Sequence, residues 1–158
     1  RHGQEPCKIA AKLMLKSSLI FCLCQKSLAH TNARKNASKN GARFLSLPEY
    51  SLELLKTKAI LCDYKSIYPL AKKISNILDN GNSIIIESKS EFIESSIKGR
   101  KANCCPGYVS SPGELGSPPD IETNICPIEN STNGKVIIDG SITCQEIGLL
   151  NKEVKLDF

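Results

Sequence analysis

The chain has 158 residues, 41% hydrophobic and 23% charged, with 10 Gly and 8 Pro; this is the size of one domain or two small ones, and it excludes collagen-like, coiled-coil and wholly disordered classes. Trp is absent and aromatic residues make up 5%, which argues against a stacking platform for bases or sugars. The formal charge of +5 is unevenly spread: residues 1–100 hold 17 basic and 8 acidic side chains, residues 101–158 hold 4 and 8.

Apolar residues at 9, 10, 13 and 14 form a helical stripe through 6–16. Ser18 to Cys24 is then almost continuously apolar, which predicts a buried strand. Residues 31–40 read as a polar helix, with Thr31 or Asn32 as its cap and Gly41 as its stop. Ala42 to Leu47, closed by Pro48, predicts a second strand, and helices between strands predict parallel crossover pairing. A short helix over 49–58 precedes a longer one that Asp63 caps, with Leu70, Ile74, Ile77 and Leu78 apolar and Pro69 set to kink it or split off its first turn. Asn80-Gly81 ends that helix, and a strand over 83–89 follows.

The period then changes. Phe92 to Ile97 reads as a strand and Lys98 to Lys101 as a basic turn, while residues 102–120, with three Gly and four Pro, read as a long ordered loop, functional or merely connecting. Strands are expected over 121–126, 135–139 and 152–158, with turns at Asn133-Gly134 and Asp139-Gly140. The expected fold class is α/β: a partial parallel sheet with flanking helices over residues 1–90, then a strand-rich segment over 91–158.

Eight cysteines stand at 7, 22, 24, 62, 104, 105, 126 and 144. A chain of this length can build a core without disulfides, so Cys22, Cys62 and Cys126, set in apolar or strand-like stretches, are expected to be reduced and mostly buried, which implies a cytoplasmic protein. The adjacent Cys104-Cys105 is the exception, exposed to redox chemistry or adventitious metal, although no CxxC pair supports a zinc knuckle. No signal-peptide pattern opens the chain, the longest apolar run is too short to span a bilayer, and both ends look cut, as in an internal segment of a larger protein. The lysines are spread at helical periods rather than blocked, a solvated face rather than a nucleic-acid footprint.

Candidate chemistry is sparse. In Ile121-Glu-Thr-Asn-Ile-Cys126 a two-residue period puts Ile121, Thr123 and Ile125 on one face and Glu122, Asn124 and Cys126 on the other. Glu122 then points away from the apolar face, where a carboxylate can bind a metal ion or position water; a solvated strand face has the same spacing and is the commoner case. The two histidines, His2 and His30, cannot supply three imidazole ligands, and no phosphate-binding glycine pattern is present.

Longer wording carries more. Lys26-Ser-Leu-Ala-His-Thr-Asn-Ala-Arg34 and Gly41-Ala-Arg-Phe-Leu-Ser-Leu-Pro48, followed by Ser96-Ile-Lys-Gly-Arg100 and Ile125-Cys-Pro-Ile-Glu-Asn-Ser-Thr-Asn-Gly134, resemble the thermophilic aminopeptidase T (leucyl aminopeptidase) family. The resemblance runs from about residue 4 to the end. It implies a metal-dependent exopeptidase with two divalent ions, zinc, cobalt or magnesium. It also implies a peptide substrate and a possible homodimeric assembly, with no nucleic-acid or membrane partner. It places a metal-ligating carboxylate at Glu122, with Ile121 where the family has Gly and Cys126 where it has Ala. The other ligands are expected beyond Phe158, so the segment by itself is expected to be inactive and to hold no ion stably. The alternatives are a segment of a related non-heme-iron ring-cleaving dioxygenase and a noncatalytic α/β interaction or scaffold domain.

Overall fold

The computed structural model of the chain describes residues 2–142 and 147–158. The elements begin with α1 (Lys8–Lys16), β1 (Leu19–Cys24), α2 (Asn32–Lys39), β2 (Arg43–Pro48), α3 (Leu52–Leu55), α4 (Tyr64–Asp79), β3 (Ser83–Ser88) and β4 (Glu91–Ser96). They continue with β5 (Asn103–Cys105), β6 (Leu115–Gly116), β7 (Glu122–Asn124), β8 (Asn133–Ile138), β9 (Ser141–Ile142), β10 (Gly148–Leu149) and β11 (Val154–Asp157). The described residues form four sheets, in the orders β1-β2-β6, β5-β7, β11-β8-β4-β3 and β10-β9. The expected mixed α/β class with a partial parallel sheet is the class observed.

The chain divides into two compact units, one running to Lys73 and including Cys104–Thr123, the other formed by Ile74–Asn103 and Asn124–Phe158. In the first, β1 and β2 lie parallel with Leu19 opposite Arg43 and Leu23 opposite Leu47. The helix between them starts at Thr31, whose Oγ1 accepts the Arg34 N–H at 3.2 Å, and its last turn runs into Gly41 at φ 91°. Glu5 adds a second cap, its carboxylate accepting the N–H groups of Asn32 (2.6 Å) and Ala33 (3.1 Å); a negative charge there also suits the helix dipole. Met14 of α1, Ala33 and Ala37 of α2, Ala42 and the fully buried Phe44 make the core, and Ile20, Cys22, Leu28 and Leu115 pack against it. Burying Phe44 alone contributes roughly 1.5–3 kcal/mol.

The third parallel strand comes from the stretch expected to be a loop. Leu115 and Gly116 pair with Phe44 and Leu45. The turn ahead of them is tied by the Glu114 carboxylate, which accepts the N–H groups of Ser110 (2.6 Å) and Ser111 (2.8 Å), and the Phe44 N–H donates to the Glu114 carbonyl at 2.8 Å. Residues 83–89, by contrast, do not enter the parallel sheet. Only Lys89 and Ser90 separate β3 from β4, and a parallel crossover needs a dozen residues or more, so the two strands close as an antiparallel hairpin from Ser83–Ser96 to Ser88–Glu91. The expected boundary at 90/91 therefore falls in the turn of one hairpin, inside the second unit.

In that unit β4 continues to β8, and β8 to β11, all antiparallel. Asn133 and Gly134 belong to β8, paired with Glu94 and Ile93; the turn expected there lies earlier, where the Ser131 N–H donates to the Ile128 carbonyl at 3.2 Å. Ile97 and Val136 are its buried apolar residues. Pro69 sits inside α4 instead of dividing it, and no helix among the described residues is long and apolar enough to cross a membrane.

Candidate functional site

The two-residue period around Glu122 is realised. Ile121, Thr123 and Ile125 are half-buried, and Glu122, Asn124 and Cys126 are exposed. Thr123 anchors the strand in the first unit: its hydroxyl donates to the Ala71 carbonyl at 2.8 Å and lies 3.8 Å from Cys104 Sγ. Glu122 is thereby presented outward from a fixed backbone. Among the described residues, however, no group of three or more His, Cys, Asp or Glu side chains could hold a metal ion. The described residues do not by themselves fit a two-ion centre.

The thiols are free as expected, but less buried: Cys22 and Cys62 are half-buried and Cys126 is exposed. Cys126 lies two residues beyond the end of β7. Cys104 and Cys105 are also free and half-buried, and Cys144 lies outside the described residues.

The segments that carry the family resemblance are held by contacts within each unit. In the first unit Arg34 Nε donates to the Ala29 carbonyl at 2.5 Å, the Ser27 and Ser46 hydroxyls lie 3.3 Å apart, and Lys26 stands 3.5 Å from Glu49. In the second, Arg100 Nη2 donates to Glu129 Oε2 at 2.5 Å, the Ile128 N–H donates to the Ser96 carbonyl at 2.8 Å, and the Ser96 N–H donates to Ser131 Oγ at 3.1 Å. Glu129's own backbone N–H and the Arg100 guanidinium hold that carboxyl below its ordinary range. These residues cap, turn and cross-link the backbone, and their wording is the wording of a fold.

A second feature was hidden in the sequence. Both faces of β1 are apolar, Leu19, Phe21 and Leu23 on one and Ile20, Cys22 and Cys24 on the other, so no alternation is visible and a strand buried on both sides is expected. Only the second set faces helix; Phe21 and Leu23 remain 58% and 61% exposed. With Leu45 and Leu47 they line a cavity of about 480 Å³ within the first unit, which Tyr50, Tyr64, Tyr108 and Pro118 also border. The Tyr50 hydroxyl donates to the Pro118 carbonyl and the Tyr64 hydroxyl to the Ile60 carbonyl at 3.2 Å. Burial raises both phenols, that of Tyr64 to about 12 with Cys62 adding to the effect. Gly107 borders it at φ 76°, where a Cβ would come within 2.7 Å of the Tyr64 ring and of the Asp120 carbonyl.

A parallel sheet with helices packed on one face, and a separate antiparallel sheet, define a two-unit α/β chain. Its fold is similar to that of 2,5-dihydroxypyridine dioxygenase from Pseudomonas putida KT2440, with a TM-score of 0.75 and 20% sequence identity over 95% of this chain and 42% of that one. At this identity the likeness establishes the fold, and the chain spans less than half the length of the dioxygenase chain. No protein-family profile and no curated protein matches the chain.

Proposed function

We propose that this chain is a segment of a metal-dependent aminopeptidase, supplying its α/β platform and one metal-directed carboxylate, Glu122. The observation that carries the reading is the outward placement of Glu122 on β7, a strand anchored through Thr123, within wording that resembles the aminopeptidase T family. A carboxylate so placed is a hard oxygen donor suited to zinc, cobalt or magnesium. The described residues do not complete a centre, so peptide hydrolysis is assigned to the parent protein and not to the segment. The fold likeness favours a second reading, a segment of a non-heme-iron ring-cleaving dioxygenase.

The two readings separate on substrate. The full-length protein is loaded with zinc, cobalt or magnesium and offered leucine 4-nitroanilide, then loaded with ferrous iron and offered 2,5-dihydroxypyridine with oxygen. Release of nitroaniline, lowered in Glu122→Gln, is the expected result. Oxygen uptake with loss of the pyridine ring, and no nitroaniline, would replace the first reading with the second.

A further inference from the structure

Cys22 and Cys24 stand two residues apart on the helix-facing side of β1, and their sulfurs lie 3.3 Å from each other. Both are free and half-buried. The Cys24 thiol also lies 3.0 Å from the Lys26 carbonyl, so both sulfurs are held where they are. We propose that this pair is a dithiol site for monosubstituted trivalent arsenicals. Three geometric arguments select that class. A disulfide would have to draw the sulfurs from 3.3 Å to about 2.05 Å, with the Cα atoms at the long end of the usual range, since two residues of extended strand span about 6.6 Å; an inserted atom lets the sulfurs stay apart. Tetrahedral zinc, with sulfur at about 2.3 Å, wants its thiolates about 3.8 Å apart and two further ligands, and no cluster of three or more His, Cys, Asp or Glu donors is present among the described residues. Arsenic–sulfur bonds of similar length meet near a right angle, a span of about 3.3 Å, and an organoarsenical fills its third valence with carbon.

Burial and the neighbouring thiol push Cys22 up to about 12, so it reacts as a neutral thiol. The exchange suits the pair: an arsonous acid R–As(OH)₂ forms two S–As bonds, both As–OH bonds break, and the two thiol protons leave with the hydroxyls as two waters. Arsenic stays trivalent and no oxidant or reductant is consumed. Cys24, at the end of β1, is positioned to take the first bond, and closure onto Cys22 makes the second intramolecular.

The test is intact mass spectrometry and peptide mapping of the folded chain treated with phenylarsine oxide in excess 2-mercaptoethanol. One phenylarsenic group should be retained on the peptide holding Cys22 and Cys24. Cys24→Ser and Cys22→Ser should each lower retention on the order of 100-fold, because a monodentate adduct loses the effective concentration of the second thiol; Cys104→Ser should leave it unchanged. Circular dichroism shows whether the variants fold, and if Cys22→Ser does not, Cys24→Ser decides. Retention unaffected by Cys24→Ser, an adduct mapped only to other cysteines, no retention by the folded chain, or stoichiometric zinc on the pair would each overturn the assignment.

Discussion

Single side chains do most of the punctuation in this chain. Thr31, flagged by its place ahead of a polar helix, donates to the Leu28 carbonyl at 2.7 Å while accepting the Arg34 N–H. Thr31→Ala should cost about 1 kcal/mol in urea denaturation, and Thr31→Ser should restore most of it. Thiol exposure was less legible. Cys126 lies beyond the end of β7 and is exposed, whereas Cys22 lies within β1 and packs against the core. Cys126 should therefore react with iodoacetamide well before Cys22, whose thiol is held up to about 12 by burial first and Cys24 second. The sign of the linked pH effect follows. Between the ordinary thiol value of 9.0 and about 12, the unfolded chain releases the Cys22 proton and the folded chain keeps it. The stabilisation is full below pH 9 and is lost as pH rises toward 12. The Tyr64 phenol, raised from 10.0 to about 12, acts in the same direction over the upper part of that window. Urea midpoints measured from neutral to alkaline pH should fall over this range, with a smaller fall in Cys22→Ala; midpoints that stay level would contradict the burial of these groups.

At the scale of elements, periodicity and caps made α1, β1, α2 and β2 readable, because each is specified by residues within a few positions of one another. Partners were harder to read. Leu115-Gly116 is too short to announce itself as a strand and owes its place to Glu114, which ties the preceding turn, and to the bond from Phe44. The Ile84-Ile85-Ile86 run has the composition of a parallel strand, yet a two-residue connection commits it to its hairpin partner. The open face of β1 was illegible for a different reason: apolar residues on both sides conceal which side is covered. That face and its bordering loop give an element-scale prediction. Gly107→Ala places a Cβ against the Tyr64 ring and the Asp120 carbonyl at a left-handed backbone position. It should destabilise the first unit by roughly 1–3 kcal/mol, read as a lower urea midpoint; an unchanged midpoint would mean that the loop shifts freely.

For the whole molecule, the resemblance-bearing words supply structural contacts such as the Arg100–Glu129 ion pair and the Arg34 bond to the Ala29 carbonyl. Such residues hold the backbone of a fold, and the fold likeness found is to a dioxygenase. Of the candidate site, only Glu122 was named from sequence. The cavity has no signature in the sequence, and the remainder of a metal centre is not assembled by the described residues. The proposal for the whole molecule therefore rests on Glu122 as a metal ligand in the parent protein. Metal content of the purified full-length protein and its Glu122→Gln variant, measured by inductively coupled plasma mass spectrometry after dialysis, tests it most directly. Two divalent ions per chain are expected in the parent and the loss of at least one in the variant, since an amide replaces a negative oxygen donor by a neutral one. Equal metal content in a variant that folds normally would contradict it and leave Glu122 as a solvated residue on the outward face of β7.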